Sequence, residues 1–211
     1  IFSGRFLLGN ELESLETEFS NLIGVKSSVG VKNCTDAINI LIRNLWKPGM
    51  PIIVPNFGAY PTAIACKNVT DEIYYVDVDD TMTINPKKLP DIKNGIIIPV
   101  HLFGNNCDMD AICDYASQNN HIVIEDCAQS TGSGSGTRGD FSVYSFYPTK
   151  PLSSMGDGGM ICTDNLDFAK EMRKYRFYGQ HNGKVEFVGI NSRFDEMQSA
   201  IIRCKMSTFQ D

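Results

Sequence analysis

Lys150 stands between Pro148 and Pro151 in the run FYPTKPLSSMGDGG. A lysine ordinarily belongs on a solvated helix face. Here two prolines, each fixing φ, confine it to an irregular turn. An amine held in this way can condense with an aldehyde. Upstream, HIVIEDCAQ closes an apolar run with Asp126. A carboxylate at the end of a buried strand is costly unless it meets a cation or good donors. Ser145, five positions before Lys150, ends a second apolar run. Thr35 and Asp36 stand where a polar turn runs into a helix in VGVKNCTDAINIL. The free N–H groups of a helix N-terminus accept phosphate.

Each residue also has a plainer use. Asp126 alone reads as a helix cap or a structural ion pair, and Ser145 alone as a turn residue. Thr35 serves equally well as an ordinary N-cap. Taken together they make one site: an imine-forming lysine, a carboxylate for a pyridinium nitrogen, and a helix start plus a serine for a phosphate. Those are the parts that pyridoxal 5'-phosphate (PLP) requires.

The elements that must position these residues are visible as alternating patterns. Short apolar, β-branched runs at 52–55, 73–78, 95–100, 121–125, 141–146 and 159–163 read as strands. Apolar residues spaced by three and four predict helices over 11–22, 36–46, 109–119, 166–175 and 195–206, with Asp108 able to cap the third. This alternation predicts an α/β three-layer sandwich around a mostly parallel central sheet. Ligands in such folds bind beyond the carboxyl ends of the strands. The run STGSGSGTRG, 130–139, reads as a surface loop.

The chain has 211 residues, 42% of them hydrophobic, and a formal net charge of -6. It can bury a substantial core. With no Lys/Arg-rich block, neither nucleic acid nor an anionic membrane is an expected partner. The apolar runs are strand-sized and too short to span a bilayer. The first residues lack the order of a signal peptide, so the expected location is cytoplasmic. Seven cysteines with no CxxC read as reduced, core-packed thiols rather than disulfides or a metal site. His101 reads as a core or supporting histidine, Trp46 as a core residue, and Asp77–Asp80 as a solvated loop. Ile1 and the helix that stops without a closing signal give the expectation of a longer polypeptide.

The motifs GRFLLGNELESLETEF, VGVKNCTDAI, IIVPNFGAYPTA, VDVDDTMTINP, IIIPVHLFGNNCDMDAI, VIEDCAQS, GDFSVYSFYPTKPLSSMGDGG and GINSRFDEMQSAIIRCK follow one another along nearly the whole chain. In that order they resemble the DegT-like nucleotide-sugar aminotransferases, which are fold-type-I PLP enzymes. The resemblance implies a PLP-binding large domain over 1–195, with 196–211 starting the helix toward a small domain that is largely absent. It makes Lys150 the cofactor lysine and proton shuttle, and Asp126 the partner of the ring nitrogen. Gln129 is placed near the phenolic oxygen, and Thr35, Asp36 (by its backbone) and Ser145 on the phosphate. Asn191 is implied to reach the phosphate of a neighbouring subunit, which makes a homodimer with shared sites the working unit. The implied reaction moves an amino group from L-glutamate to a nucleotide-linked keto-deoxysugar, such as dTDP-4-keto-6-deoxyglucose, with a 3-keto sugar close behind. A PLP-dependent sugar dehydratase and a non-catalytic regulatory relative are the alternatives. The sequence departs from the family pattern at Cys34, where glycine is usual and a left-handed backbone would be strained. It departs again at Ala59, where an aromatic ring is usual and Tyr60 is adjacent.

Overall fold

The computed structural model describes residues 4–209. The chain ends that suggest a longer polypeptide, 1–3 and 210–211, lie outside the described residues. The elements run α1 (Asn10–Ile23), β1 (Ser27–Val31), α2 (Cys34–Leu45), β2 (Ile52–Pro55), α3 (Tyr60–Lys67), β3 (Ile73–Val76), β4 (Ile96–Ile97), α4 (Met109–Asn119), β5 (Ile122–Asp126), β6 (Phe141–Ser145), β7 (Gly159–Thr163), α5 (Leu166–Tyr175), β8 (Gln180–His181), β9 (Lys184–Val185) and α6 (Glu196–Met206). Seven strands form one sheet in the order β1-β7-β6-β5-β4-β2-β3. Only β7 runs against its neighbours, so six strands point their carboxyl ends the same way. The three-layer α/β sandwich expected from the sequence is the observed architecture.

Side chains alternate across the strands and divide the core between the two faces. Val29, Val31, Ile52, Val54, Ile124, Val143 and Ile161 pack under α2, α3 and α5. Tyr144, Met160 and Cys162 face α1 and α6, while Ile53, Ile97 and Val123 face α4. With both faces covered, the strands read as near-continuous apolar runs. All seven cysteines are free thiols, and five of them are buried. No described helix is long and apolar enough to cross a membrane.

Some elements depart from the sequence pattern. The SSVGV strand β1 has too few large apolar residues to be read as a strand, and α3 is a single short helix begun by Tyr60–Pro61. The hairpin β8–β9 has only two residues a side. The expected strand 95–100 keeps only Ile96–Ile97 in the ladder because Pro99 has no N–H to give. Its extended path nevertheless continues, with Ile98 N–H donating to Ile53 C=O and Asp126 N–H to Pro99 C=O.

The outer edge of β1 is closed by charged side chains. Gly30 N–H donates to Glu16 Oε1 at 2.9 Å, Arg173 donates to Ser28 C=O at 2.7 Å, and Arg176 donates to Gly30 C=O at 2.6 Å. Both arginines also pair with Glu16, which is itself buried. Removing one partner of such a network leaves a buried charge unmatched. Glu16→Ala is therefore expected to lower stability by about 3–5 kcal/mol, read as a drop in the urea midpoint without a change in slope.

Candidate active site

Strand alternation sorts the adjacent acids Glu125 and Asp126 onto opposite faces. Asp126 follows Ile124 onto the α2–α3 face. There its Oδ2 accepts from Thr62 Oγ1 of α3 at 2.7 Å, and its Oδ1 accepts from Ala128 N–H at 3.1 Å. It is 3% exposed. Burial raises its pKa, and Thr62, Ala128 N–H, Lys150 and His101 pull it back in that order of effect. Strand β5 pairs with β6, Asp126 opposite Val143, so the loop that carries Lys150 leaves the sheet at the same end.

Glu125 faces the other way. Its Oε2 accepts from Gly136 N–H at 2.9 Å and meets His101 Nε2 at 2.9 Å. Its Oε1 accepts from Arg138 and Gly139 N–H at 2.8 and 2.7 Å. Burial pushes this carboxyl up, but His101 and the backbone donors outweigh it and hold the pKa below its ordinary 4.5. His101 Nδ1 accepts from Cys107 N–H, which leaves the proton on Nε2, facing Glu125. His101, Glu125 and Cys127 could by proximity hold a metal ion. The carboxylate and both ring nitrogens are already committed, however, so the cluster is a structural clasp. It also ties down loop 130–139, which looked free in sequence.

The start of α2 lies beside the ends of β6 and β7. Ser145 pairs across the ladder with Gly159. A Cβ on Gly159 would come 2.4 Å from the Asn33 carbonyl carbon and 2.6 Å from Cys34 N. Only glycine permits this approach, which brings the buried Ser145 to the helix start. Asn33, not Thr35, caps α2, with its Oδ1 accepting from Asp36 N–H at 2.8 Å. The Asp36 N–H expected to meet phosphate is thus already engaged, and an anion here would meet Cys34 and Thr35 N–H first. Cys34 is the first residue of the helix and is absent from the positive-φ positions, so no left-handed strain arises. Burial raises its thiol well above its ordinary range, Asp126 and Cys127 add to this, and Lys150 opposes it.

Lys150 is half-buried and makes no hydrogen bond or ion pair through its amine among the described residues. Its own N–H donates to Tyr147 C=O at 2.9 Å, and Tyr147 N–H donates to Ser145 Oγ at 3.3 Å. Gln129 Oε1 accepts from Phe103 N–H at 2.9 Å, leaving its amide NH2 uncommitted. Asn191 is exposed, in a groove of about 420 Å³ with Lys32, Asp157, Arg193 and Gln198. Its neighbour Ser192 is buried, donating to Asp36 Oδ2 at 2.7 Å and accepting from Lys32 N–H at 3.1 Å. Ala59 precedes α3, and Tyr60 is 77% exposed.

The structure thus groups Asp126, Lys150, Ser145 and Thr35 at the carboxyl ends of the strands, with Gln129 just past β5. Asn191 lies on the adjoining exposed groove. Thr62, Asn33, Gly159 and Ser192 are supporting residues that sequence reasoning passed over. Only Gly159, within GDGG, carried a sequence signal, since a glycine in a strand marks a close approach of backbone. The residues fit PLP on three counts. A buried carboxyl has one protein donor per oxygen, an uncommitted amine stands on the loop that leaves the neighbouring strand, and a helix start is held open beside a serine. A groove of about 860 Å³ between α1 and α5 contains none of these residues.

A family model described as the DegT/DnrJ/EryC1/StrS aminotransferase family matches residues 1–211. A UDP-N-acetyl-3-dehydro-alpha-D-glucosamine 3-aminotransferase from Acidithiobacillus ferrooxidans is 39% identical over 211 residues, 95% of this chain and 57% of that protein. The structure of S. venezuelae DesV in complex with a ketimine intermediate superposes with a TM-score of 0.92 at 33% identity, covering 99% of this chain and 59% of that one. The structure of NtdA from Bacillus subtilis with bound cofactor PMP gives 0.90 at 32% identity, covering 98% and 50%. The chain spans between half and three fifths of the length of these relatives.

The Glu125 clasp makes a pH-dependent contribution. A folded pKa below the ordinary 4.5 gives stability that is present above 4.5 and lost as pH falls through the folded value. Glu125→Gln is expected to cost about 1.5–3 kcal/mol at neutral pH. In urea unfolding compared across pH, the gap from wild type should narrow progressively below pH 4.5.

Proposed function

Because the chain belongs to the DegT/DnrJ/EryC1/StrS aminotransferase family, we propose that it forms the cofactor half of a PLP-dependent nucleotide-sugar aminotransferase. The observation that carries this reading is that the paired strands β5 and β6 deliver buried Asp126 and the loop with the uncommitted Lys150 to the same end of the sheet. Bound PLP would supply an electron sink that stabilises negative charge at the carbon bearing the transferred nitrogen.

The chain's own residues have separable roles. Asp126, ionised, would hold the ring nitrogen protonated, and Thr62 and Ala128 N–H would fix the carboxylate's orientation. Lys150 Nζ would hold the cofactor covalently at rest. Once displaced, it would carry a proton between cofactor and substrate carbons. Thr35, the α2 start and Ser145 would anchor the phosphate, and the Gln129 amide would donate toward the phenolic oxygen. Asn191, exposed beside the α2 start, suits contact with the cofactor phosphate of a second copy in a homodimer. Residues 1–195 would form the PLP-binding domain, and α6 would lead toward a smaller one.

The proposed donor is L-glutamate and the acceptor a nucleotide-linked keto-deoxysugar. The Acidithiobacillus relative is itself named a 3-aminotransferase. A test panel therefore includes 3-keto substrates beside dTDP-4-keto-6-deoxyglucose.

Added PLP should give the purified protein a yellow visible band. Lys150→Ala should abolish the band, and Thr62→Val should weaken PLP binding by about tenfold to a hundredfold, the effect of losing one hydrogen bond to a charged group. The full-length protein, incubated with L-glutamate and the panel and read by mass, should replace one keto oxygen by an amino group. A dehydrated product would support a dehydratase. Wild-type protein that stays colourless with PLP would support a non-catalytic relative.

A further inference from the structure

Residues 146–158, which carry Lys150, form a closed loop between β6 and β7. Phe146 N–H donates to Gly158 C=O, and Ser154 donates to Phe146 C=O through both its N–H and its hydroxyl, all at 2.8 Å. Leu152, 1% exposed, plugs the loop into the core beside Phe19, Phe146, Phe194 and Ile202. Ser154 is buried as well, but Met155 beside it is 74% exposed, so packing does not hold that residue. Helix α6 reaches across instead. Met155 N–H donates to Gln198 Oε1 at 2.8 Å, and Gln198 Nε2 donates to Met155 C=O at 3.3 Å. Lys205 Nζ donates to Ser153 C=O at 2.7 Å and to Ser153 Oγ at 2.9 Å. These two residues lie two turns apart and so share one helix face.

The helix is itself fixed. Glu196 accepts from Gly9, Glu11 and Leu12 N–H at 2.8–3.0 Å, capping the start of α1. Arg203 pairs with Glu11 and Glu18. The loop is thus referenced to a rigid strut rather than to solvent. Four hydrogen bonds at two exposed or partly buried positions fix the return path of the segment that presents the amine.

We propose that Gln198 and Lys205 are positioning residues for Lys150. By clasping Met155 and Ser153 they set where the amine stands relative to Asp126, and hence how well the site takes an aldehyde cofactor. This inference rests on Lys150 being the cofactor lysine. Neither side chain hydrogen-bonds Lys150, so both act through the loop backbone.

The test uses Gln198→Ala, Lys205→Met, the double variant, and Gln198→Glu, which keeps the acceptor for Met155 N–H. In cofactor-free protein, limiting acetic anhydride labels amines. Peptide mass then gives the rate at Lys150 relative to exposed Lys26 in the same molecules. In parallel, the visible band gives the PLP dissociation constant. The double variant should change the Lys150-to-Lys26 ratio at least about threefold and raise the dissociation constant about tenfold, with Gln198→Glu in between. Thermal midpoints report folding, and if the double variant melts early, the single variants carry the same readouts at smaller amplitude. Wild-type values of both quantities in every folded variant would overturn the inference. If wild type takes up PLP and neither readout moves, the positioning role falls and the cofactor reading stands. If wild type takes up no PLP but the labelling ratio moves, the cofactor reading falls and takes the role in cofactor uptake with it, while the clasp's hold on the Lys150 amine stands.

Discussion

A carboxyl group almost sealed from water must find compensation, and Asp126 finds only part of it within the chain. Thr62 and Ala128 N–H supply one hydrogen bond per oxygen, and burial still leaves the pKa raised. In a fold stabilised by a small margin, such a residue is a standing cost that a cationic ring nitrogen would relieve. Much of the local architecture serves this one group. Helix α3 brings Thr62 to it, the extended path through Pro99 accepts its N–H, and His101 N–H takes its carbonyl.

The second constraint is a close approach between segments distant in sequence. The lone reversed strand β7 begins where its neighbours end, so Gly159 arrives at the same level as Ser145 and the start of α2. A side chain there would push Asn33 and Cys34 away and open the anchor. That contact explains how a helix start near residue 34 comes to lie beside the strand end that leads to the lysine at 150.

Much of this was legible in the sequence. Lys150 between prolines, Asp126 closing an apolar run, and the polar turn at Thr35 each carried a local signal, and strand–helix alternation gave the layers. The supporting groups were not legible, because their roles depend on contacts across the fold. Thr62 lies in a helix too short and too weakly amphipathic to stand out. Asn33 competes with Thr35 for the cap, and only the backbone path decides between them. Cys34 looked strained only on the premise of a left-handed turn. The loop 130–139 has the composition of a flexible segment, yet one buried glutamate on the other side of the sheet gathers its amides.

The two margins of the sheet are built differently. At β1, Glu16, Arg173 and Arg176 occupy the outward backbone groups. At β3, no side chain bonds the backbone of Ile73–Val76 among the described residues, and Tyr74 and Tyr75 are exposed. Unpaired strand margins template the addition of further chains. Intermolecular sheet growth in concentrated or heat-stressed samples would therefore start at the tyrosine-bearing margin, and a lysine or proline placed there would suppress aggregation without touching the end of the sheet that carries Asp126 and Lys150.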